Sequence, residues 1–386
     1  MKLYQTITIA VTAAGLAQFA AFGADRRQTY EELYASSDKV VLGTVGVRSS
    51  HWGDDAHIYT DVLVYPDVTV KGADEGAMTV EVLGGTVGDT TMTVSDGPEL
   101  SEGQQVVVFL KRESNHFVVM GRSAGSLPAS SAEAAAALDS TFTLVERSAR
   151  IPQTYKRGLA GSAIARATNT VTSHVQTGCY GTDGAKWGTT SASYKIGTSI
   201  PADWASSIDS AAATWGSAGA AFKLVNDSTV VNELSYKDLV AAYGSSYANT
   251  FAVTTTWTSG STGRITKATI EIGNKWPWST TGAANIAAVQ NILTHEFGHW
   301  MRLLDIYSPT TCSEVTMWGS AGYGETKKRT LEQADIDGFI SLYGGYRWWR
   351  QHNFDGAVAD FACERSDWNF GHANPDVDRG HQRHIL

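Results

Sequence analysis

The sequence predicts an α+β chain, with a small all-β barrel-like region first and a mixed region of strands and helices after it. Three observations point that way. Residues from about 30 to 127 are short runs rich in Val, Thr and Tyr, separated by Gly, Asp, Asn and Ser, the pattern of half-buried strands joined by turns. Residues 179–345 mix such runs with stretches whose apolar residues recur every three or four positions, the period of a helix face. Hydrophobic residues make up 42% of the 386, enough for a sizeable core and too many for a disordered chain.

The chain opens with a short positive start at Lys2, a mostly apolar run from Ile7 to Phe22, and small groups at Ala21 and Gly23. This is the layout of a signal peptide over residues 1–23, cut before Ala24. The apolar run is shorter than the ~20 residues a spanning helix needs. Export is therefore expected, with a secreted product and no stable membrane association once the leader is gone. The net charge of -9 excludes nucleic acid as an expected partner, because phosphate binding needs a basic face.

Residues 24–127 form the expected barrel-like domain. Val40–Val45, Tyr59–Val64, Met78–Leu83, Gln105–Leu110 and His116–Met120 read as its strands, and a small barrel or sandwich accommodates them. His51, His57 and His116 are scattered through it and read as surface or strand histidines. Residues 128–178 change character. Ala132–Leu138 predicts a short helix, and Arg147, Arg150, Lys156, Arg157 and Arg166 then lie among Ser, Thr, Ala and Gly. This reads as a linker open to proteolytic nicking, which leaves the barrel either an accessory module or a removable propeptide.

Residues 179–345 form the expected second domain. Ser193–Ile196, Ala221–Val225, Thr250–Trp257 and Ile265–Ile272 are its candidate strands. Pro201 suits a helix start, and Trp204, Ile208, Ala211 or Ala212, and Trp215 then form one apolar stripe. A second helix is predicted from about Ala284 to Met301. A third starts at Thr330, with Gln333 completing a capping box, and stops before Gly344-Gly345. Residues 346–386 hold Trp348, Trp349, Trp368 and four of the ten histidines without periodicity, and are read as a tail of no assigned role. The three cysteines, Cys179, Cys312 and Cys363, exclude a disulfide-dense scaffold. In an oxidising compartment Cys179 and Cys312 can form one bridge, a pairing that sequence leaves open.

The second helix carries His295-Glu296-Phe297-Gly298-His299. Residues four apart lie on one helix face, so the two imidazoles can reach one zinc ion, while Glu296 stays off the metal and faces a water as general base. The bland alternative is a core helix with two ordinary histidines. Against it stands the apolar face before the motif, Ile286, Val289, Ile292 and Leu293, since polar groups on a core helix need partners. Moreover, His295 and His299 are the only histidines between Cys179 and Gly345. A catalytic zinc takes a third protein ligand and an open fourth position. Asp305, just past the expected helix end, is the first candidate and Glu332 the rival.

His295-Glu296-Phe297-Gly298-His299-Trp300-Met301-Arg302-Leu303-Leu304-Asp305 resembles the extended zinc motif of the metzincin peptidases, and looks closest to bacterial and archaeal matrixin-like members. Most metzincins place a third histidine where this chain has Asp305; snapalysin-type members carry aspartate there. Glu314-Val315-Thr316-Met317-Trp318-Gly319 looks like the Met-turn, which makes Met317 the apolar floor beneath the metal. Gly324 to Leu331 and Asp335 to Gly338 look like the approach to the last helix. The resemblance covers about Cys179 to Gly345. It implies a twisted mixed sheet, a zinc helix, a Met-turn and a C-terminal helix. It also implies Zn2+ as cofactor and hydrolysis of protein or peptide substrates by a water that Glu296 deprotonates. Calcium is not readable from the sequence, and a monomer is expected.

Two departures stand out. Arg302 replaces the glycine that suits a left-handed helix end, and no Pro-Arg-Cys-Gly segment is present. Cys179 as a latency ligand ranks behind its bridge to Cys312. The substrate is expected along the strand Ala268–Ile272, by backbone pairing with an exposed edge. Two other classes remain: a zinc-binding protein without catalysis, which has no need of Glu296, and a surface-binding module carried by the barrel.

Overall fold

The computed structural model describes residues 28–131, 134–137, 139 and 175–344. The expected leader, the tail with Cys363, and residues 140–174 of the expected linker lie outside the described residues. Within them the chain is α+β. The first part contributes α1 (Tyr30–Ser36) and strands β1 (Lys39–Trp52), β2 (Ile58–Lys71), β3 (Met78–Leu83), β4 (Gly85–Val87), β5 (Thr90–Val94), β6 (Gln105–Glu113), β7 (His116–Val119) and β8 (Ser126–Pro128).

β1 pairs with β2 on one side and β6 on the other, β2 pairs with β3, and β3 meets β7, which returns to β6. The five strands thus close into a ring, which removes free edges. The period of two sorts the side chains. Val41 and Val45 of β1 enter one cluster with Val62, Val64, Val106, Val108 and Phe117. Val40 and Leu42 point the other way, into a cluster with Val107, Phe109 and Leu33 of α1. Because β1 and β6 are buried on both faces, they read as continuous apolar runs rather than alternating ones. Thr29 and Glu32 cap α1 reciprocally.

β4 and β5 leave this ring and join the second sheet. The second part contributes β9 (Val175–Thr177), β10 (Tyr180–Thr182), β11 (Lys186–Trp187), β12 (Ser191–Ile196), α2 (Ala205–Gly216), β13 (Lys223–Asn226), β14 (Glu233–Lys237), α3 (Leu239–Tyr243), β15 (Ala252–Ser259), β16 (Arg264–Gly273), β17 (Trp278–Ser279), β18 (Ala287–Ala288), α4 (Val289–Trp300) and α5 (Gln333–Tyr343). The sheet order is β13-β12-β14-β16-β15-β5-β4. β12, β13, β14 and β16 run parallel; β15 is antiparallel to β16, and β5 is antiparallel to β15.

One core joins this sheet to α2, α4 and α5. Ile208, Ala211 and Trp215 of α2 meet Ile292, Leu293 and Phe297 of α4, with Ile270 and Ile272 of β16 above and Phe339 of α5 alongside. α4 starts at Val289 rather than near Ala284, because Ala287 and Ala288 are extended and pair with β17. α5 starts at Gln333 rather than Thr330. Glu332 and Asp335 form its capping box, not Thr330 and Gln333.

Candidate metal centre

α4 is buried along almost its whole length, from Asn291 to Trp300. A polar side chain there must find a partner, and each histidine does. The Nδ1 of His295 lies 2.8 Å from the carbonyl of Thr316, and that of His299 lies 2.8 Å from the carbonyl of Leu303. A carbonyl only accepts, so both Nδ1 atoms carry protons, and both Nε2 atoms turn toward a common point. They stand 3.0 Å apart. Asp305 closes the triangle, with Oδ1 3.1 Å from Nε2 of His295 and Oδ2 3.4 Å from Nε2 of His299.

Ligands about 2.0–2.2 Å from a tetrahedral zinc stand roughly 3.3–3.5 Å from one another, so these groups fit a metal ion with only small adjustments. His295, His299 and Asp305 form a buried triad that can hold a metal ion. Glu332 serves as N-cap of α5, so Asp305 is the residue that joins the histidines.

Burial and neighbouring charges set the protonation of each member of the triad. Burial pushes His295 down, and the nearby Lys328 ammonium adds to that. His295 is therefore neutral, as a ligand must be. Burial opposes a proton on His299 as well, but Asp305 outweighs it and holds the group at about 9. Burial alone would raise Asp305; the two imidazoles instead hold it well below the usual carboxylate range.

The supports come from downstream. Met317 is fully buried and packs against α4 at Gly298, where an added methyl group would meet its Sδ at 2.2 Å. Asp335, at the start of α5, accepts from the N–H groups of Thr316 (2.8 Å) and Met317 (3.0 Å). Cys179 and Cys312 are joined by a disulfide, so neither is a free thiol able to reach the metal. Arg302 adopts φ +72°, the left-handed turn that glycine would favour. Its guanidinium reaches back to Thr256 Oγ1 (2.6 Å) and pairs with Asp183.

Glu296 is 2% exposed. Its Oε2 accepts from Thr254 Oγ1 at 2.5 Å, and the same hydroxyl lies 3.1 Å from the Glu296 carbonyl. β15 is therefore the strand against the site. The strand expected to receive substrate, Ala268–Ile272, is instead internal: β16 is hydrogen-bonded to β14 on one side and β15 on the other. No protein-family model matches the chain, and no curated protein matches it.

Sequence reasoning missed Thr254, Asp335 and Tyr307. Thr254 sits in a run of three threonines that offers no signal for which one turns to Glu296. Asp335 was legible only as part of a helix start. Tyr307 stands two positions past Asp305, and its hydroxyl donates to Asp96 Oδ1 of the first part at 2.5 Å.

Proposed function

We propose that the chain is a secreted zinc-dependent endopeptidase of metzincin type. The observation that carries this is Glu296. A purely structural metal site has no use for a buried carboxylate between its two histidine ligands, yet this one is held in place by Thr254. His295, His299 and Asp305 would hold the ion, and a two-nitrogen, one-oxygen donor set suits zinc. When bound, zinc supplies Lewis-acid chemistry that brings the pKa of water toward ~7.

The rest is done by the chain. Glu296 takes a proton from the attacking water and delivers it to the leaving amine. Thr254 fixes the carboxylate oxygen that it donates to, leaving the other for the water. β15 lies beside Glu296, and its side away from β16, where β5 of the first part pairs, is the place at which a peptide backbone would add as a strand. Strand addition engages the middle of a chain rather than its end, which supports an endopeptidase. The Cys179–Cys312 disulfide supports an oxidising compartment outside the cytosol.

The test is casein hydrolysis by purified, leader-free protein, before and after limited proteolysis, with metal content measured in parallel and Glu296→Ala as comparison. Zinc-dependent hydrolysis that disappears in a variant still holding zinc is the expected result. Folded protein that takes up no zinc would overturn the proposal.

A further inference from the structure

The outer edge of β15 is already filled, and by the chain's own first part. β5 runs antiparallel to it, with Val94 opposite Thr255, Thr93 opposite Thr256, Met92 opposite Trp257, Thr91 opposite Thr258 and Thr90 opposite Ser259. The pairing continues into the turn that follows. The Ser95 N–H donates to the Thr254 carbonyl at 2.8 Å, and the Thr254 N–H donates to Ser95 Oγ at 3.0 Å. Thr254 is the residue that holds Glu296. The next residue, Asp96, receives the Tyr307 hydroxyl, two positions from the ligand Asp305. β5 therefore lies extended along β15 beside the residue that holds Glu296, and the turn at Ser95 and Asp96 reaches Tyr307, two positions past Asp305.

The hold is built from the barrel side. Arg122 donates to the Ser95 carbonyl and lies 3.9 Å from Asp96, and Ser123 donates to Asp96. Met92 and Val94 are buried with Ile58 of β2 and with Val253 and Trp257 of β15. Asp89 seals the far end by accepting from Ser259 at 2.8 Å and from the Ser261 N–H at 2.6 Å. Asp96 itself takes φ +51°, a left-handed turn that Asp tolerates at some cost. That turn sends the chain away where a substrate would continue.

We propose that β5 is a built-in pseudosubstrate: the barrel domain presents Thr90–Asp96 to the peptide-binding edge of β15 and keeps the enzyme latent until that strand is displaced. This rests on the peptidase reading above. The occupant is a segment of this chain, and the competing occupant is an extended peptide running in the same direction. Backbone pairing on β15 cannot serve both at once.

The experiment compares full-length, zinc-loaded parent with two variants. Asp96→Gly keeps the left-handed turn and removes the bonds to Tyr307, Ser123 and Arg122. Thr91→Cys/Thr258→Cys places a reducible crosslink across β5 and β15. Casein hydrolysis and hydrogen exchange of residues 90–95 are measured together. Asp96→Gly should hydrolyse roughly tenfold faster or more, since activity scales with the fraction of open molecules, with matching loss of protection in β5. The oxidised double variant should be silent, even after a proteolytic treatment that activates the parent, and should recover on reduction. Parent activity equal to that of Asp96→Gly, with β5 protected in the parent and open in the variant, overturns latency while leaving the peptidase intact. So does full activity in the oxidised crosslinked form. No hydrolysis by any form, with zinc bound and β5 shown open in Asp96→Gly, overturns the peptidase reading and the latency with it.

Discussion

Asp335 holds His295 through a single residue, Thr316. The carboxylate of Asp335 accepts from the Thr316 N–H at 2.8 Å, and the carbonyl of Thr316 lies 2.8 Å from His295 Nδ1. The same carboxylate accepts from Met317 and from the Glu332 N–H, so one buried side chain fixes the Met-containing turn, the start of α5 and a histidine tautomer. Burial raises the Asp335 carboxyl despite these donors. Asp335→Asn replaces an acceptor with an N–H₂ group facing an N–H donor. The expected outcome is a 10- to 100-fold weaker zinc affinity, on the order seen when a group supporting a ligand is lost, measured by chelator competition. Unchanged affinity would show that His295 keeps its orientation without Asp335.

Arg302 separates two effects that a glycine would combine. Its φ of +72° costs on the order of 1 kcal/mol for a residue with a Cβ. Its side chain returns part of that through Asp183 and Thr256. Arg302→Ala keeps the strained turn and loses the contacts, whereas Arg302→Gly loses the contacts and relieves the turn. Arg302→Ala should therefore be the less stable of the two by about 1 kcal/mol, read from urea unfolding midpoints. Equal stabilities would mean that the helix end relaxes out of the left-handed turn in the variants.

Metal uptake should release a proton. His299 stands at about 9 without metal, pushed down by burial but held up more strongly by Asp305, and a ligand imidazole must be neutral. Below pH 9 metal therefore competes with that proton, and affinity rises with pH, by about tenfold per unit between roughly pH 6 and 8. His295 is already neutral, and Asp305 already ionised, so neither adds to the slope. Calorimetric titration with zinc in buffers of different ionisation enthalpy counts the protons. A pH-independent affinity would contradict this account.

What the sequence made legible, and what it hid, follows from how local each signal is. His295, Glu296 and His299 were readable because helix periodicity alone sets their relation. Asp305 was readable as the first candidate ahead of Glu332, but the turn that brings it to the histidines was not, since the turn after α4 depends on Arg302 entering a left-handed conformation that its residue type disfavours. The strand period is the same whichever sheet a strand joins, so nothing in Thr90–Val94 says that it leaves the barrel for β15. For the same reason Ala268–Ile272 looked like an edge and is internal. Asp335 looked like an ordinary residue of a helix start because its partners, Thr316 and Met317, are remote in sequence.

The disulfide should stabilise more than it shapes. Cys179 and Cys312 are 133 residues apart in sequence, and crosslinking so long a loop constrains the unfolded chain strongly. Cys179→Ser/Cys312→Ser should lose about 2–5 kcal/mol by denaturant unfolding, with zinc stoichiometry unchanged in protein that remains folded. Loss of zinc binding in folded protein would instead assign the bridge a direct part in placing Asp305.

Thr254 is the residue whose replacement best separates positioning from metal binding. Its hydroxyl donates to Glu296 rather than to His295, His299 or Asp305. Thr254→Val keeps the branched shape but leaves the buried carboxylate one donor short, which costs upward of about 1–3 kcal/mol because the group is charged. The prediction is a roughly 10- to 100-fold fall in kcat with little change in KM or zinc content. Thr254→Ser, which restores the donor, should recover most of the rate. A fall in kcat that serine does not recover would mean that Thr254 acts only through the packing of β15 on α4.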